Sequence, residues 1–140
     1  MKQTLEKLIL KRCNNLVCSN FIVAFCEEIL CKTNSRYGLP VMVTENGMAN
    51  DDTVSSDGCV HDKKRIDFMK EYLSGVKRAV NDGINVLGYQ HWSLMDNFEW
   101  TNGYAPRFGI IHIDYKTQKR TIKDSGYFYK EVIRSNGEII

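Results

Sequence analysis

The sequence predicts an α/β fold with a parallel sheet, and three observations carry that reading. Two short apolar segments, Val41-Met42-Val43-Thr44 and Asn85-Val86-Leu87-Gly88-Tyr89, have strand character. An amphipathic helix from about Asp62 to Asn81 separates them, and a second helical stretch follows the later strand. Strand, loop, helix, strand, loop, helix is the order of consecutive β/α units. In such proteins the active site gathers at the C-terminal ends of the strands.

Taken in order, Gln3 to Lys11 and Val23 to Lys32 have helical character, with Asn14-Asn15 and Ser19-Asn20 as breaks. The second stretch is expected to end before Gly38. Val41 to Thr44 is a continuous apolar run after Pro40, the pattern of a strand covered on both faces. Residues 49–60 are rich in Asn, Asp, Ser and Gly and read as a solvated loop over the site. In the next helix Ile66, Met69, Leu73, Val76 and Val80 recur at spacings of three and four, which puts them on one face. Asn81-Asp82-Gly83 supplies its stop, with Gly suited to a left-handed cap. A long aromatic loop follows the second strand. Gly109 to Tyr115 then reads as a strand or hairpin, and a last helix is expected from about Ser125 to Arg134, closed by Gly137.

Bulk properties bound the function. The 140 residues suffice for one domain or a piece of one. A net charge of +2, with Lys and Arg scattered, offers no field for nucleic acid. No stretch approaches the roughly 18 consecutive apolar residues of a membrane span. Lys11 and Arg12 interrupt any signal-peptide core, and no Asn-x-Ser/Thr acceptor occurs, so a cytoplasmic location is expected. Cys13, Cys18, Cys26, Cys31 and Cys59 lack the C-x2-C spacing of structural zinc and are odd in number. They read as reduced thiols, with a metal site as the alternative.

The residues with chemistry lie after the two strands. Glu45 follows the first, in Thr44-Glu45-Asn46-Gly47, where a rigid strand end suits a carboxylate nucleophile. On the four residues alone, a solvated loop Glu is the competing reading. After the second strand comes His91-Trp92-Ser93-Leu94-Met95-Asp96-Asn97-Phe98-Glu99-Trp100. Trp faces stack on the C–H faces of a pyranose, and carboxylates hold its hydroxyls. Asp96, Asn97 and Glu99 are interleaved with apolar residues, which demands polar partners that sugar hydroxyls would supply. His91 reads as a satisfied histidine at a strand end rather than a general acid or ligand. His61 and His112 have no metal-ligand neighbours and read as surface or structural. The acidic loop 51–58 hints at calcium but fails the EF-hand pattern, because Val54 sits at a ligand position and no Glu closes it. No cofactor motif is present.

Over about residues 37–136 the sequence closely resembles the C-terminal part of glycoside hydrolase family 1, the β-glucosidase and β-galactosidase family. The resemblance runs through Tyr-Gly-Leu-Pro-Val-Met-Val-Thr-Glu-Asn-Gly, Arg65-Ile66-Asp67-Phe68 and Asp82 to Tyr89. It continues in Trp-Ser-Leu-Met-Asp-Asn-Phe-Glu-Trp, Gly103 to Ile110 and Lys123-Asp124-Ser125. It implies a (β/α)8 barrel and a retaining glycosidase, with residues 1–36 as an unmatched, helical N-terminal segment and 37–140 as the last two β/α units. By the resemblance Glu45 is the nucleophile and Trp92 the platform beneath the sugar. Glu99 bridges O4 and O6, Trp100 donates to O3, and Phe108 is an aromatic of the same pocket. Relatives acting on 6-phosphosugars carry a Ser and a Lys-x-Tyr clamp here. Glu99-Trp100 in their place implies an unphosphorylated β-glucoside, β-galactoside or related oligosaccharide.

Two departures qualify this expectation. The family's acid/base Glu lies in an upstream Asn-Glu-Pro motif, and no Asn-Glu-Pro occurs here. The whole barrel needs about 250 residues or more, so the chain reads as truncated. Two readings follow: a β-glycosidase chain carrying the nucleophile, or a catalytically inactive remnant that binds sugar weakly. Unpaired strand edges would in either case invite association with another chain.

Overall fold

The computed structural model describes residues 19–140. The helical stretch expected at Gln3 to Lys11, and Cys13 and Cys18, lie outside the described residues. In chain order the elements are helix α1 (Ser19–Tyr37), strand β1 (Val41–Asn46), helix α2 (Lys63–Asn81), strand β2 (Val86–His91) and a 3-10 turn (Trp100–Asn102). Strands β3 (Ile111–Ile113) and β4 (Arg120–Ile122) and helix α3 (Asp124–Arg134) complete the chain.

Each boundary has a local cause. Gly38 takes a φ of 64°, lets its N–H return to the Asn34 carbonyl at 2.7 Å, and ends α1 two residues ahead of Pro40. Gly83, at a φ of 85°, closes α2 as its sequence position predicts. Asp62 stands at the start of α2 but makes no side-chain cap. Its carboxylate instead accepts from Arg65 Nε at 2.8 Å, from Ser125 N–H at 2.9 Å and from Ser125 Oγ at 2.5 Å. That choice ties the start of α2 to the start of α3.

β1 and β2 pair in parallel, with Val41 opposite Val86, Val43 opposite Tyr89 and Asn46 opposite His91. The register shifts between Val41 and Met42 and again between Val43 and Asn46. β3 and β4 form a separate antiparallel hairpin. The expected strand near Ile111 is therefore present, and β4, which the sequence reading missed, is its partner. Apolar residues fill the space between the parallel pair and the helices. Cys26, Leu30 and Ala79 form one cluster under Val41, Val43, Val76, Ile84 and Val86. Met69, Leu73 and Val132 form a second under Tyr89, Phe128 and Tyr129.

Two expectations are corrected here. Among the described residues β1 is covered on one face: Met42 is 44% exposed, and Leu87 on β2 is 66% exposed. The buried face of α2 is also rotated from the apolar stripe. Val80 is exposed while Ala79, Arg65 and Gly75 are buried. The small Ala79 admits α1 closely, and Arg65 is drawn inward by Asp62, three residues before it, and by Asp52 in the loop after β1. No closed barrel forms from the described strands.

Candidate active site

Parallel pairing brings Glu45 and Trp92 to the same end of the sheet, because Asn46 and His91 are partners and each stands next to one of them. The Trp92 N–H donates to the Asn46 carbonyl at 2.8 Å. Gly47 makes this approach tolerable: a Cβ there would lie 1.7 Å from the Trp92 carbonyl oxygen. Asn46 is fixed from behind, since Tyr89 Oη donates to its side-chain oxygen at 2.6 Å. Burial pushes the Tyr89 phenol well above its usual range, so it remains a donor. Glu45 is exposed, and no hydrogen bond or ion pair engages its carboxylate among the described residues.

The aromatic loop builds the other wall. Trp92 Nε1 faces Glu99 Oε1 at 3.4 Å. The Glu99 N–H donates to the Gly103 carbonyl at 2.7 Å, and the Gly103 N–H returns to Trp100 at 3.0 Å. Within that turn Trp100 is 82% exposed at a φ of 50°. A bulky residue in the left-handed region costs on the order of 1–3 kcal/mol. An indole held there and left facing outward is organised for contact with something other than its own core. Phe108 is half-buried beside Ser93, whose N–H donates to the Phe108 carbonyl at 3.1 Å. Glu45, Trp92, Glu99, Trp100 and Phe108 thus come from the exits of two neighbouring strands.

Behind this surface lies a set of buried charges that the sequence reading did not identify. Lys123 Nζ donates to Asp52 Oδ2 at 2.5 Å and to Asp96 Oδ1 at 2.9 Å. Arg65 donates to Asp52, to Asp62, to the Met48 carbonyl and to the Arg107 carbonyl. Arg107 Nη1 donates to Asp96 Oδ2 at 2.9 Å and to the Ile113 carbonyl at 2.7 Å. Three carboxylates and three cations balance within the fold. Burial pushes the Asp96 carboxyl up, but hydrogen bonds from Lys123 and then Arg107 outweigh it and hold it below the usual range. Buried charges persist only when paired this thoroughly.

Two expectations change accordingly. The partners of Asp96 are protein groups, including the Gly109 N–H at 3.0 Å and the Ile113 N–H at 3.3 Å, and not a ligand. The loop after β1 is not uniformly solvated, since Asp52 is buried under Lys123 and Arg65. The signal was available: Arg65, Arg107 and Lys123 all stand inside the motif strings that carry the family resemblance, yet charged residues there read most simply as surface.

The histidines divide. His61 is exposed and bridges Asp124 at 2.7 Å and Asp57 at 3.0 Å, bonds that raise its pKa, the one to Asp124 most. His112 is buried, with its Nδ1 unpartnered. His91 is not satisfied as expected: neither ring nitrogen makes a hydrogen bond among the described residues. Its pKa is pushed down to about 4. Burial does most of this, the Arg65 charge adds to it, the Phe108 backbone opposes it, and Lys123 adds least.

A depressed histidine pKa means that the unfolded chain takes up a proton where the folded chain does not. The stability of the neutral His91 fold is therefore full above about pH 6.5 and lost as pH falls toward about 4. The shift sets an upper bound of about 3 kcal/mol on this loss. His91→Phe should flatten that part of the stability curve, measured by urea unfolding at pH 4.5 and 7. An unchanged difference between the two pH values would show that His91 is hydrated rather than desolvated.

Cys26 is buried, Cys31 half-buried and Cys59 exposed, each a free thiol. Among the described residues no cluster of His, Cys, Asp or Glu could hold a metal ion, and no helix is long and apolar enough to cross a membrane.

Comparison with known proteins gives the family. The profile described as "Glycosyl hydrolase family 1" matches residues 20–138. "Beta-glucosidase A" of Thermotoga maritima is 52% identical over 110 residues, covering 78% of this chain and 25% of that protein. "Beta-glucosidase A" of Acetivibrio thermocellus is 49% identical over 111 residues, covering 79% of this chain and 25% of that protein. The structure of the Thermotoga maritima β-glucosidase in complex with deoxynojirimycin superposes with a TM-score of 0.79 at 50% identity, over 80% of this chain and 26% of that one. The chain thus spans about a quarter of the length of the relatives it matches. Those solved relatives are TIM barrels.

Proposed function

We infer the activity from the premise that this chain belongs to glycosyl hydrolase family 1: it carries the nucleophile half of a retaining β-glycosidase site. The substrate class is a terminal β-glucoside, β-galactoside or related sugar without phosphate. The observation that carries the reading is Glu45 at the exit of β1, its carboxylate without a hydrogen bond or ion pair among the described residues, at the sheet end where the paired strand leads into Trp92.

The chemistry follows from that placement. A Glu45 oxygen attacks the anomeric carbon as the glycosidic C–O bond breaks, giving a covalent glycosyl-enzyme. The leaving oxygen takes its proton from a second carboxyl group, about 5–5.5 Å from the first in retaining enzymes. Water then attacks the same carbon, loses a proton to that second group, and releases Glu45. Trp92 provides the apolar platform, Glu99 accepts from O4 and O6, Trp100 donates to O3, and Phe108 closes the side. The Glu99 carboxylate, already beside Trp92, would repel a 6-phosphate, which favours the unphosphorylated substrate. The two other carboxyl groups near the site have other jobs: Asp96 is bound by Lys123 and Arg107, and Glu99 is given to O4 and O6. The acid is therefore assigned to a segment outside the site as described.

The alternative is a non-catalytic remnant that only binds sugar. A dinitrophenyl β-glucoside separates the two, because its leaving group departs as a stable anion and needs no proton donor. The nucleophile reading expects release of one dinitrophenolate per chain, with a hexosyl mass gain on the peptide containing Glu45. Glu45→Gln should show neither. Release that survives Glu45→Gln would refute the assignment, and binding without release would establish the remnant.

A further inference from the structure

Regular β-structure would aim Glu45 the wrong way. Side chains alternate along a strand, so Val41, Val43 and Glu45 would share one face. That face packs on the helices, because Val41 and Val43 lie against the Cys26, Leu30 and Ala79 cluster. A carboxylate placed there would turn from solvent toward an apolar layer. Instead Thr44 and Glu45 are both exposed, and Asn46 is the next half-buried residue. The register shows how. Val43 pairs with Tyr89 and Asn46 with His91, so β1 takes one more residue than β2 between the two pairs. A slip of one residue sends the side chains that follow it to the opposite face, and such irregularities serve beside active sites to re-aim a side chain.

An extra residue disrupts the ladder locally and needs a restraint. Tyr89 supplies one. Its hydroxyl donates to Asn46 Oδ1 at 2.6 Å and lies 3.5 Å from the Asn46 carbonyl oxygen, which also accepts the Trp92 N–H. The ring is itself held in place. It packs on the Met69, Leu73 and Val132 cluster and meets the Tyr129 ring edge-on, with centroids 6.3 Å apart. Tyr129 Oη also donates to the Tyr89 carbonyl at 3.2 Å. We propose that Tyr89 is a positioning residue: through Asn46 it holds the extra residue of β1 in place and so turns Glu45 out of the helix-facing layer toward substrate. Tyr89 acts at one remove, with no contact to the reacting atoms. Its role in the reaction rests on Glu45 being the nucleophile; its hold on Asn46 does not.

The test compares Tyr89→Phe with Tyr129→Phe in the full 140-residue chain. Each variant loses one tyrosine hydroxyl from the same layer, but only the first hydroxyl reaches Asn46. Amide exchange of the Trp92 N–H should quicken by about 2–10-fold in Tyr89→Phe, the equivalent of one net hydrogen bond, and by less in Tyr129→Phe. With the dinitrophenyl β-glucoside, the maximal rate of dinitrophenolate release should fall by up to about 10²-fold, as for roughly 1 Å of misplacement. The glucoside concentration giving half that rate should change far less, because the side chains assigned to hold the sugar are untouched. Asn46→Ala should show the same effects, and adding Tyr89→Phe to it should cost nothing more, since the pair acts as one unit. Unchanged exchange, equal effects in Tyr129→Phe, or additive losses in the double variant would overturn the hold on Asn46. Faster exchange with an unchanged release rate would overturn the positioning role and leave the nucleophile reading standing. A wild-type chain that releases nothing would overturn the nucleophile reading and the catalytic side of this role, while faster exchange in Tyr89→Phe would still sustain the hold on Asn46.

Discussion

Lys123→Met should destabilise the chain by about 3–5 kcal/mol, the usual cost of removing one partner from a buried ion network. Lys123 has no solvent exposure and neutralises two buried carboxylates, Asp52 and Asp96. Methionine fills the same space but removes a charge-assisted partner from each buried carboxylate, leaving Arg65 as the cation on Asp52 and Arg107 as the cation on Asp96. An internal control is available in Lys63, whose ion pair with Asp67 is exposed. Lys63→Met should change stability by less than about 1 kcal/mol. Urea unfolding at pH 7, with the denaturant slope unchanged, reads both. Equal losses for the two variants would mean that water reaches the network.

The same substitution has a functional consequence. Asp52 belongs to the loop after β1, Asp96 to the loop after β2, and Lys123 leads into α3. The ammonium therefore fastens the loop that follows Glu45 to the loop that carries Trp92, Glu99, Trp100 and Phe108. The network also sets an acid limit. Because the Asp96 pKa is held below its ordinary value, its contribution is present above the unfolded value and lost as pH falls through the folded one. His91 loses its contribution at higher pH, so acid should weaken the site side of the fold in two separate steps.

Gly47→Ala should cost roughly 3 kcal/mol or more, at the upper end of overpacking penalties. The new Cβ would meet the Trp92 carbonyl oxygen at 1.7 Å and its carbon at 2.7 Å. Both are backbone atoms, so no rotamer change relieves the clash; the exits of β1 and β2 must separate. That movement would break the Trp92 N–H bond to Asn46 and shift Trp92 relative to Glu45. Gly58→Ala is the comparison, with a φ of 82° but nothing within 4 Å of its Cβ. It should lose only the roughly 1–2 kcal/mol of a left-handed backbone. Thermal unfolding gives the cost, and the near-ultraviolet signal of the indoles reports the movement of Trp92. If Gly47→Ala proved as mild as Gly58→Ala, the two strand exits would not be held together in solution.

Much of the fold was legible because it depends on short-range pattern. The spacing from Ile66 to Val80 gave α2 within a residue of its ends, and Gly38 and Gly83 marked two terminations through their own backbone freedom. The apolar runs gave β1 and β2, and parallel pairing followed from the helix between them. β4 escaped because Arg120-Thr121-Ile122 is three residues long and polar, a strand only by virtue of β3 beside it. The buried face of α2 was misplaced for a related reason. A stripe of apolar residues does not show which neighbour will press on the helix, and Ala79 is too small to announce a contact.

The sequence by itself determined the family, the order of the β/α units, and the residue types gathered after the two strands. These rest on motif strings and periodicities that act over a few residues. Tertiary structure alone decided which charges are interior. Asp52 meets Lys123 across 71 positions, Asp62 meets Ser125 across 63, and Arg65 reaches the Arg107 carbonyl across 42. A charged side chain is stable inside only if its partners arrive there too, and partners that far apart in the chain are brought together only by the fold.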